Sequence, residues 1–316
     1  MNKLANAVLM VRPFGFGFNE ETASDNFFQH RAPNNSLVEA QALQEFSNMV
    51  ERLESSGLRV CVLEKASDNT LTPDAVFPNN WISTEPDGTV VVYPMAAPNR
   101  AAERRRLNDV LTLFQNNNLS VSRVIDLSII AENRVLEGTG SLVVDRATRT
   151  PYVAQSSRSD PKLAQVWADI LDFRTVCIFE TQDARGYPIY HTNVALSIGQ
   201  GFAVLCSECI PNPAQRHHVL TQLSQSHEVI EITLPQMTHF CGNILQVQSI
   251  RGEPLIVMSD TAFNAFSRHQ RTQLSNHGTL LNVGIPTVER IGGGSARCMM
   301  AEVFLNHTSP SVRESL

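Results

Sequence analysis

The stretch NVALSIGQGFAVLC, residues 193–206, contains two short apolar runs separated by a glycine-containing break at 199–201. Two such runs with glycines between them predict a β-hairpin. A helical pattern follows over Asn212–Ser224 and begins with a capping asparagine and a proline at the first helical position. The apolar run EVIEIT, residues 228–233, then predicts a third strand. This part of the chain is therefore a unit of hairpin, helix and strand.

The same unit recurs along the chain. Further hairpins are predicted around turns at residues 86–88, 146–150 and 251–253. Further helices are predicted over Ser36–Ser56, Asn99–Asn117, Asp160–Leu171 and Ala262–Asn276. Each of these helices is followed by one more apolar run that predicts a strand, at residues 59–65, 123–129, 175–181 and 280–286.

A fifth hairpin requires both ends of the chain. The run MMAEVFLN, residues 299–306, can pair with AVLMVRP, residues 7–13, and this pairing would close the repeats into a ring. We therefore predict a single α/β domain over residues 1–316, a five-bladed α/β propeller with pseudo-fivefold symmetry. An ordinary mixed α+β domain without symmetry is the alternative.

Composition limits the partners of the protein. The 316 residues include 25 Lys and Arg against 31 Asp and Glu, a net charge of −6, and no long run of either sign favours nucleic acid or an acidic membrane surface. No stretch reaches the roughly 18 apolar residues of a membrane span, and the N-terminus lacks the pattern of a signal peptide. The six cysteines lack the spacing of a disulfide framework. We expect a cytoplasmic protein with a small-molecule partner, and its oligomeric state stays open.

The chemically unusual residues open the hairpins. The opening segments are PDAVFPNNW (73–81), EGTGS (137–141), YHTN (190–193), HFCGN (239–243) and GGGSARC (292–298). From Asn80 through Glu137, His191 and Cys241 to Cys298, the successive steps are 50 to 57 residues long. If the units are equivalent, a carboxamide, a carboxylate, an imidazole and a thiol meet in one cleft at the axis.

This set of side chains suits covalent catalysis by a cysteine. A thiol at its free pKa is only a few per cent thiolate near neutrality, so Cys298 needs a partner such as His191. His191 can also protonate a leaving amine and activate water, while Glu137 can orient the imidazole or bind donors on the substrate. The glycines at 292–294 allow a substrate to lie against bare backbone. We predict Cys298, His191 and Glu137 as catalytic residues.

Two further features leave alternatives open. Cys206 and Cys209 form a CxxC pair followed by His217 and His218, which permits a zinc site, although no matching second pair is present. We expect no metal and no organic cofactor, because the thiol carries the covalent step. Residues 19–29, which are polar and lack clear periodicity, form either a lid over the cleft or an ordered segment of the core.

Four stretches together resemble the guanidine-modifying, or amidinotransferase, superfamily, and the resemblance covers essentially the whole chain. They are VRPFGFGFNEETASDNFFQ (11–29), DAVFPNNW (74–81), EGTGSLV (137–143) and HTNVALSIG (191–199). Members of this superfamily, the penteins, are five-bladed α/β propellers with a Cys-His-acid site at the hub. The combination is most similar to the branch of citrulline-utilisation hydrolases, or citrulline ureidases.

The resemblance implies a role for individual residues. Cys298 matches the nucleophile, His191 the general acid and base, and Glu137 the hub carboxylate. Asp74 matches an acid that binds the terminal nitrogens of the substrate. Arg100 and Arg158 fall where the dimethylarginine hydrolases place arginines for the α-carboxylate of the substrate, and a pair of arginines suits that group.

The chain departs from the guanidine-binding pattern at three asparagines. Relatives that bind a guanidine have acids where this chain has Asn79 and Asn80. Arginine deiminase has an aspartate where this chain has Asn193. A guanidinium is a cation and needs carboxylates, whereas a ureido group is neutral and has an oxygen that needs a donor. Asparagine supplies a donor and an acceptor without net charge. We therefore predict Asn79, Asn80 and Asn193 as substrate-binding residues for citrulline.

The predicted activity is cysteine-dependent hydrolysis of the terminal ureido group of citrulline, which gives ornithine, ammonia and carbon dioxide. Three alternatives remain. The first is the same chemistry on a guanidine substrate, as in arginine deiminase or an arginine dihydrolase. The others are an amidinotransferase and a non-catalytic pentein that binds a ligand.

Overall fold

Three-stranded sheets make up the β-structure of the computed structural model, which describes residues 4–31, 35–65 and 70–307. There are five such sheets in the described part of the chain. In each, the central strand pairs antiparallel with one neighbour and parallel with the other. The strands are β1 (Ala7–Val11), β2 (Arg59–Leu63), β3 (Ile82–Thr84), β4 (Thr89–Val92), β5 (Arg123–Asp126), β6 (Val143–Asp145), β7 (Thr150–Ala154), β8 (Cys177–Phe179), β9 (Leu196–Ile198), β10 (Phe202–Leu205), β11 (Glu228–Glu231), β12 (Leu245–Gln248), β13 (Pro254–Ser259), β14 (Thr279–Val283) and β15 (Ala301–Val303).

A helical segment joins the two parallel strands of every sheet, as a parallel connection requires. The helices are α1 (Asn35–Ser55), α2 (Pro98–Ala101), α3 (Leu107–Asn116), α4 (Gly138–Ser141), α5 (Pro161–Ile170), α6 (Thr192–Ala195), α7 (Pro213–Ser224), α8 (Leu234–Thr238), α9 (Asp260–Ala265) and α10 (Arg268–Ser275). Shorter 3₁₀ turns cover Pro78–Asn80, Ala102–Arg106, Leu127–Ile129 and Ser207–Cys209, and a π-helical turn covers Val288–Gly292. The predicted repeat of hairpin, helix and strand is confirmed.

The two ends of the chain close the ring of sheets. β15 pairs antiparallel with β1, so that Ala7 faces Val303 and Leu9 faces Ala301, while β1 pairs parallel with β2. All five residues of β1 are buried. The predicted pairing of the terminal runs and the five-unit architecture are therefore confirmed. No helix in the described ranges is long and apolar enough to cross a lipid bilayer.

Two predicted helices are each divided in the structure. The helix predicted over Asn99–Asn117 is α2, a 3₁₀ turn and α3 in succession. The helix predicted over Ala262–Asn276 breaks after α9, because the Ser267 hydroxyl accepts from the backbone N–H of Gln270 and the Gln270 side chain accepts from the backbone N–H of Ser267. This capping box starts α10 as a new helix, and its Ser-x-x-Gln pattern is visible in the sequence.

Hydrogen bonds connect the turns that open successive hairpins. Thr139 Oγ1 donates to the Asn79 carbonyl at 3.4 Å, and Thr192 Oγ1 donates to the Ser141 carbonyl at 2.6 Å. Arg297, beside the nucleophile candidate, donates to the Thr139 carbonyl at 2.7 Å. The opening turns therefore meet at the centre of the ring, as the equal spacing of the repeats predicts.

Candidate active site

Cys298 lies in the turn that precedes β15, and its backbone N–H donates to the Ser295 carbonyl at 2.9 Å. Its side chain is buried and accepts from the amide nitrogens of two asparagines. Nδ2 of Asn243 is 3.2 Å from Sγ, and Nδ2 of Asn193 is 3.5 Å from it. Asn193, predicted to bind substrate, therefore contacts the sulfur of the nucleophile candidate.

His191 and Glu137 form a buried pair. Nε2 of His191 and Oε2 of Glu137 are 2.8 Å apart, and the other carboxylate oxygen accepts from the backbone N–H of Ala96 at 3.0 Å. Burial opposes ionisation of Glu137, but the Arg158 guanidinium and His191 overcome it and lower its pKa to about 2. Burial also lowers the pKa of His191, against the effect of Glu137. Glu137 thus holds one ring nitrogen of a histidine that is neutral near pH 7, and Nδ1 is left for proton transfer.

Asp74 presents one free carboxylate oxygen. Its Oδ2 accepts from Nδ2 of Asn19 at 2.7 Å and from Oγ1 of Thr22 at 3.0 Å. Its Oδ1 is buried and has no hydrogen-bond partner among the described residues. Burial raises the pKa of Asp74, although Arg100 and the two hydrogen bonds oppose this effect.

Arg100 is held by protein groups on every side of its guanidinium. It forms a buried ion pair with Glu103, with Nε 2.9 Å from Oε1. Nη1 donates to Oδ1 of Asn80 at 2.6 Å, and Nη2 donates to the Phe77 carbonyl at 3.0 Å. The amide nitrogen of Asn80 has no partner among the described residues. Arg100 therefore orients Asn80, a contact that the sequence did not predict.

Arg158 is engaged by the segment of residues 19–29. Its Nε donates to Oδ2 of Asp25 at 3.0 Å, its Nη2 also contacts Asp25, and Nη2 donates to the Thr22 carbonyl at 3.1 Å. The guanidinium lies over the ring of Tyr190, 4.9 Å from the ring centre, and Nη1 is 3.6 Å from Oε2 of Glu137. The predicted carboxylate-binding residue therefore already holds a carboxylate of its own chain.

The segment of residues 19–29 covers the site. Beyond the contacts of Asn19 and Thr22 with Asp74 and of Asp25 with Arg158, Asn26 and Gln29 donate to the Gly292 carbonyl at 3.3 and 3.1 Å. Of the two alternatives for this segment, its position fits a lid, and its buried polar side chains also make it an ordered part of the structure. We call residues 19–29 the covering segment.

A narrow cavity beneath the covering segment joins most of the predicted residues. It is lined by Asp74, Asn80, Arg100, Arg158, His191 and Cys298, together with Asn26, Phe77, Tyr190, Gly292 and Gly294. Glu137 and Asn193 lie behind this lining and reach it through His191 and Cys298. Asn79 is also outside the lining, and both polar atoms of its amide are buried without a partner among the described residues.

The glycines at 292–294 are also explained by protein packing. A Cβ on Gly292 or Gly294 would lie 2.8 Å from the Phe77 ring, and one on Gly293 would lie 2.7 Å from Asn26 and Gln29. The groups that lie against the backbone of these glycines are thus the Phe77 ring and the covering segment. Gly292 and Gly294 also border the cavity.

Asn243 is a site residue that the sequence did not lead us to expect, because Cys241 was taken as the hub residue of the segment 239–243. The thiol of Cys241 instead points away from the nucleophile and donates to the Ala262 carbonyl at 3.5 Å, and burial raises its pKa to about 12. A signal for Asn243 was present, because it follows Asn193 by the 50-residue step between units.

The CxxC pair does not join the two histidines. Cys206 and Cys209 are buried at a 3₁₀ turn after β10, whereas His217 and His218 are exposed on α7. Within the described ranges, no group of three or more His, Cys, Asp and Glu side chains could hold a metal ion. The zinc alternative therefore has no supporting cluster there.

Comparison with known proteins identifies the family. The model of the family described as N,N dimethylarginine dimethylhydrolase, eukaryotic, matches residues 12–305. The chain belongs to this family. It is thus a member of the pentein guanidine-modifying superfamily. A search of curated proteins gives no significant match.

Solved structures share the fold of this family member. The N-terminal domain of ArgZ, an arginine dihydrolase from the ornithine–ammonia cycle in cyanobacteria, was solved as a cysteine-to-serine mutant bound to substrate. It has a TM-score of 0.70 and 17% identity, with 94% of this chain and 97% of that chain covered. A dimethylarginine dimethylaminohydrolase adduct with S-methyl-L-thiocitrulline has a TM-score of 0.65 and 13% identity, with 95% and 100% covered. The chain spans only 40% of the longer ArgZ, which has a TM-score of 0.72 and 16% identity.

Proposed function

We propose that the protein is a cysteine-dependent hydrolase that converts citrulline and water to ornithine, ammonia and carbon dioxide. The observation that carries this proposal is the orientation of Asn80. Because Arg100 binds Oδ1 of Asn80, the unpartnered amide nitrogen is the end available to a ligand in the cavity. A ureido group has an oxygen that accepts from this donor, whereas a guanidinium has only N–H donors and would leave it unpaired.

The charges around the cavity favour a neutral reacting group. Arg100 pairs with Glu103 and Arg158 pairs with Asp25, so these charges are compensated within the protein. Asp74 offers an acceptor for the N–H groups of the substrate through its free Oδ1, and burial raises its pKa. A carboxyl group that resists ionisation suits a neutral ureido group better than a cation.

The first half of the reaction forms a covalent intermediate. Sγ of Cys298 attacks the ureido carbon, and the carbonyl oxygen becomes an oxyanion that accepts from the Asn80 amide. One C–N bond then breaks. Nδ1 of His191, whose other ring nitrogen is held by Glu137, takes the proton that the thiol gives up and delivers it to the departing nitrogen.

The second half restores the enzyme. Water attacks the thioester carbon with His191 as the base, the C–S bond breaks, and the thiol is regenerated. The carbamic acid that is released decomposes to carbon dioxide and an amine. One citrulline and one water thus give one ornithine, one ammonia and one carbon dioxide, whichever nitrogen leaves first.

We assign different roles to the two arginines. Arg158 binds the α-carboxylate of the substrate. This carboxylate takes the place of the Asp25 carboxylate, because both suit the same edge of the guanidinium. Arg100 is a positioning residue for Asn80, because its donors are already taken by Glu103, Asn80 and backbone carbonyls. The backbone carbonyl of Asn79 accepts from Oγ1 of Thr139, which ties the turn of Asn80 to the turn after Glu137.

A guanidine substrate is the second candidate. Asp74 Oδ1 can face a cation, and a structural neighbour, AgrE, was solved as a mutant in complex with L-arginine, at a TM-score of 0.72 and 17% identity. That protein's ligand suggests activity as an arginine dihydrolase, in which the ureido reaction proposed above would be the second of two steps.

The test is product analysis with citrulline, arginine and methylated arginines offered separately to the purified protein. Ornithine and ammonia from citrulline, lost in Cys298→Ser but kept in the matched control Cys241→Ser, would support the proposal. Citrulline or ornithine formed from arginine would establish the guanidine alternative. No turnover of any of these compounds would contradict both and favour a ligand-binding protein.

We also propose that residues 1–316 form a single catalytic domain and that the protein acts in the cytoplasm. The six cysteines are all free and buried, as in a protein from a reducing compartment.

A further inference from the structure

The sulfur of Cys298 lies between two neutral donors. The amide nitrogens of Asn243 and Asn193 approach it at 3.2 and 3.5 Å, and all three side chains are buried. Among the residues that the structure describes, no arginine, lysine or histidine side chain donates a hydrogen bond to this sulfur. The Nε2 atom of His191 is bound to Glu137 instead.

The orientation of the Asn243 amide is set by a second bond. Its Nδ2 also donates to the backbone carbonyl of Asn193 at 3.0 Å. A carbonyl oxygen can only accept, so the nitrogen and not the oxygen of the amide must face this side. The two protons of Nδ2 thus have two acceptors, the carbonyl and the sulfur. Oδ1 of Asn243 points elsewhere and has no partner among the described residues.

Asn193 and Asn243 differ in what they offer the sulfur. The amide of Asn193 presents Nδ2 at 3.5 Å and Oδ1 at 3.9 Å, so it can donate to a thiolate or accept from a thiol. Asn243 presents only donors to the sulfur. A group that can only donate stabilises the charged form of its partner relative to the neutral form.

We propose that Asn243 is a catalytic residue that stabilises the thiolate of Cys298, so that two carboxamides and not His191 donate hydrogen bonds to the charged sulfur. His191 takes up the proton that the thiol loses and then serves the departing nitrogen and water. The inference rests on the proposed nucleophilic role of Cys298, but it does not depend on which substrate the cavity accepts.

The experiment is the pH dependence of alkylation of the substrate-free protein by iodoacetamide, since only the thiolate reacts. Labelling at Cys298 is counted by peptide mass, with Cys298→Ser as the background. Burial raises the pKa of Cys61 to about 11 and that of Cys177 to about 12, so these thiols interfere little. The hydrogen bond with Cys209 lowers the pKa of Cys206, and the mass of its peptide distinguishes labelling there from labelling at Cys298.

Two variants separate electrostatic from structural effects. Asn243→Leu removes the donor, and we expect alkylation at pH 7 to slow about tenfold, with the midpoint of the profile about one unit higher. Asn243→Asp keeps the shape and adds a repelling charge, so its midpoint should rise further. Asn117→Leu, which removes a side-chain donor to the Leu113 carbonyl away from the cavity, is the control and should react like the wild type.

Equal midpoints in the wild type, Asn243→Leu and Asn243→Asp would overturn the inference and leave Asn243 as a brace for the Asn193 backbone. Melting temperatures identify a variant that has lost its fold, and Asn243→Asp, which is nearly isosteric, keeps the test decisive if Asn243→Leu unfolds. A protein that turns over no substrate can still show the shifted midpoints. Conversely, citrulline turnover with unmoved midpoints would contradict only the role of Asn243.

Discussion

Nη1 of Arg100 donates to Oδ1 of Asn80 at 2.6 Å, and this bond decides which end of the Asn80 amide faces a ligand. Arg100 is itself fixed by the buried ion pair with Glu103, so the amide cannot turn over without loss of a charged hydrogen bond. An asparagine alone would offer a donor or an acceptor. The arginine makes it a donor, and the preference for a ureido oxygen follows from that choice.

Asn80→Asp tests this donor directly. The variant keeps the size of the side chain and its contact with Arg100 but removes the amide N–H groups from the cavity. Loss of one donor to a developing oxyanion costs about 10²–10³-fold in kcat. We therefore expect kcat for citrulline to fall by about this factor, measured as ornithine formed at saturating substrate.

The matched control for this change is Asn212→Asp. Asn212 caps α7 by accepting from the backbone N–H groups of Ala214 and Gln215, and aspartate caps a helix equally well. This variant should retain the kcat of the wild type. A near-normal kcat in Asn80→Asp would show that the amide nitrogen does not contact the reacting oxygen.

Asp25→Asn tests competition for Arg158. Burial raises the pKa of Asp25, but Arg158 outweighs this effect and lowers it below its usual value, so the pair is ionic at neutral pH. If the substrate carboxylate takes the place of Asp25, removal of the competing charge should lower KM for citrulline several-fold. KM is measured from initial rates of ornithine formation.

Glu20→Gln serves as the control for Asp25→Asn, because Glu20 lies in the same covering segment but pairs with exposed Arg31. It should leave KM unchanged. A higher KM in Asp25→Asn alone would mean that the ion pair acts by holding the covering segment closed.

The architecture could be predicted because its signals are local. The glycine-containing turns, the caps and the apolar runs each lie within a few residues, and their repetition supplies the five units. The ring closure needed only the recognition that the terminal runs lacked partners. The break before α10 was missed although Ser267 and Gln270 have the spacing of a capping box.

The side-chain contacts of the site could be predicted only in part. Equal spacing placed Glu137, His191 and Cys298 at the hub, but spacing does not say which way a side chain points. For this reason Cys241 was chosen in place of Asn243, two residues away. The contact of Asp25 with Arg158 joins residues that are 133 positions apart, and no local pattern marks it.

Glu137→Gln should show a pH-dependent loss of stability. The pKa of Glu137 is about 2 in the folded protein, below the value of about 4.3 for an unfolded chain, so the ionised carboxylate stabilises the fold above that higher value. The ionised carboxylate thus contributes about 3 kcal/mol to the free energy of unfolding of the wild type at pH 7, and Glu137→Gln lacks this contribution. The contribution declines as the pH falls from about 4.5 toward 2. About half of it should be lost by pH 3.

The measurement is the difference in free energy of unfolding by urea between the wild type and Glu137→Gln, from pH 7 to pH 3. A difference between two proteins is needed because burial raises the pKa of Asp74 and Glu289, whose contributions have the opposite sign. Exposed Glu132→Gln controls for the loss of one charge. A stability difference for Glu137→Gln that stays constant with pH would contradict the expected ion pairing of Glu137.

Gly140→Ala should remove activity. A Cβ at this position would lie 2.5 Å from Nδ2 of Asn80 and 2.8 Å from Nδ1 of His191, so both atoms proposed to act on the substrate must move. A displacement of about 1 Å in a catalytic group can cost about 10²-fold in rate, so we expect kcat to fall at least that far. Gly17→Ala is the control, because nothing lies within 4 Å of its added carbon. If Gly140→Ala kept the kcat of Gly17→Ala, neither Asn80 nor His191 could be acting from its present position.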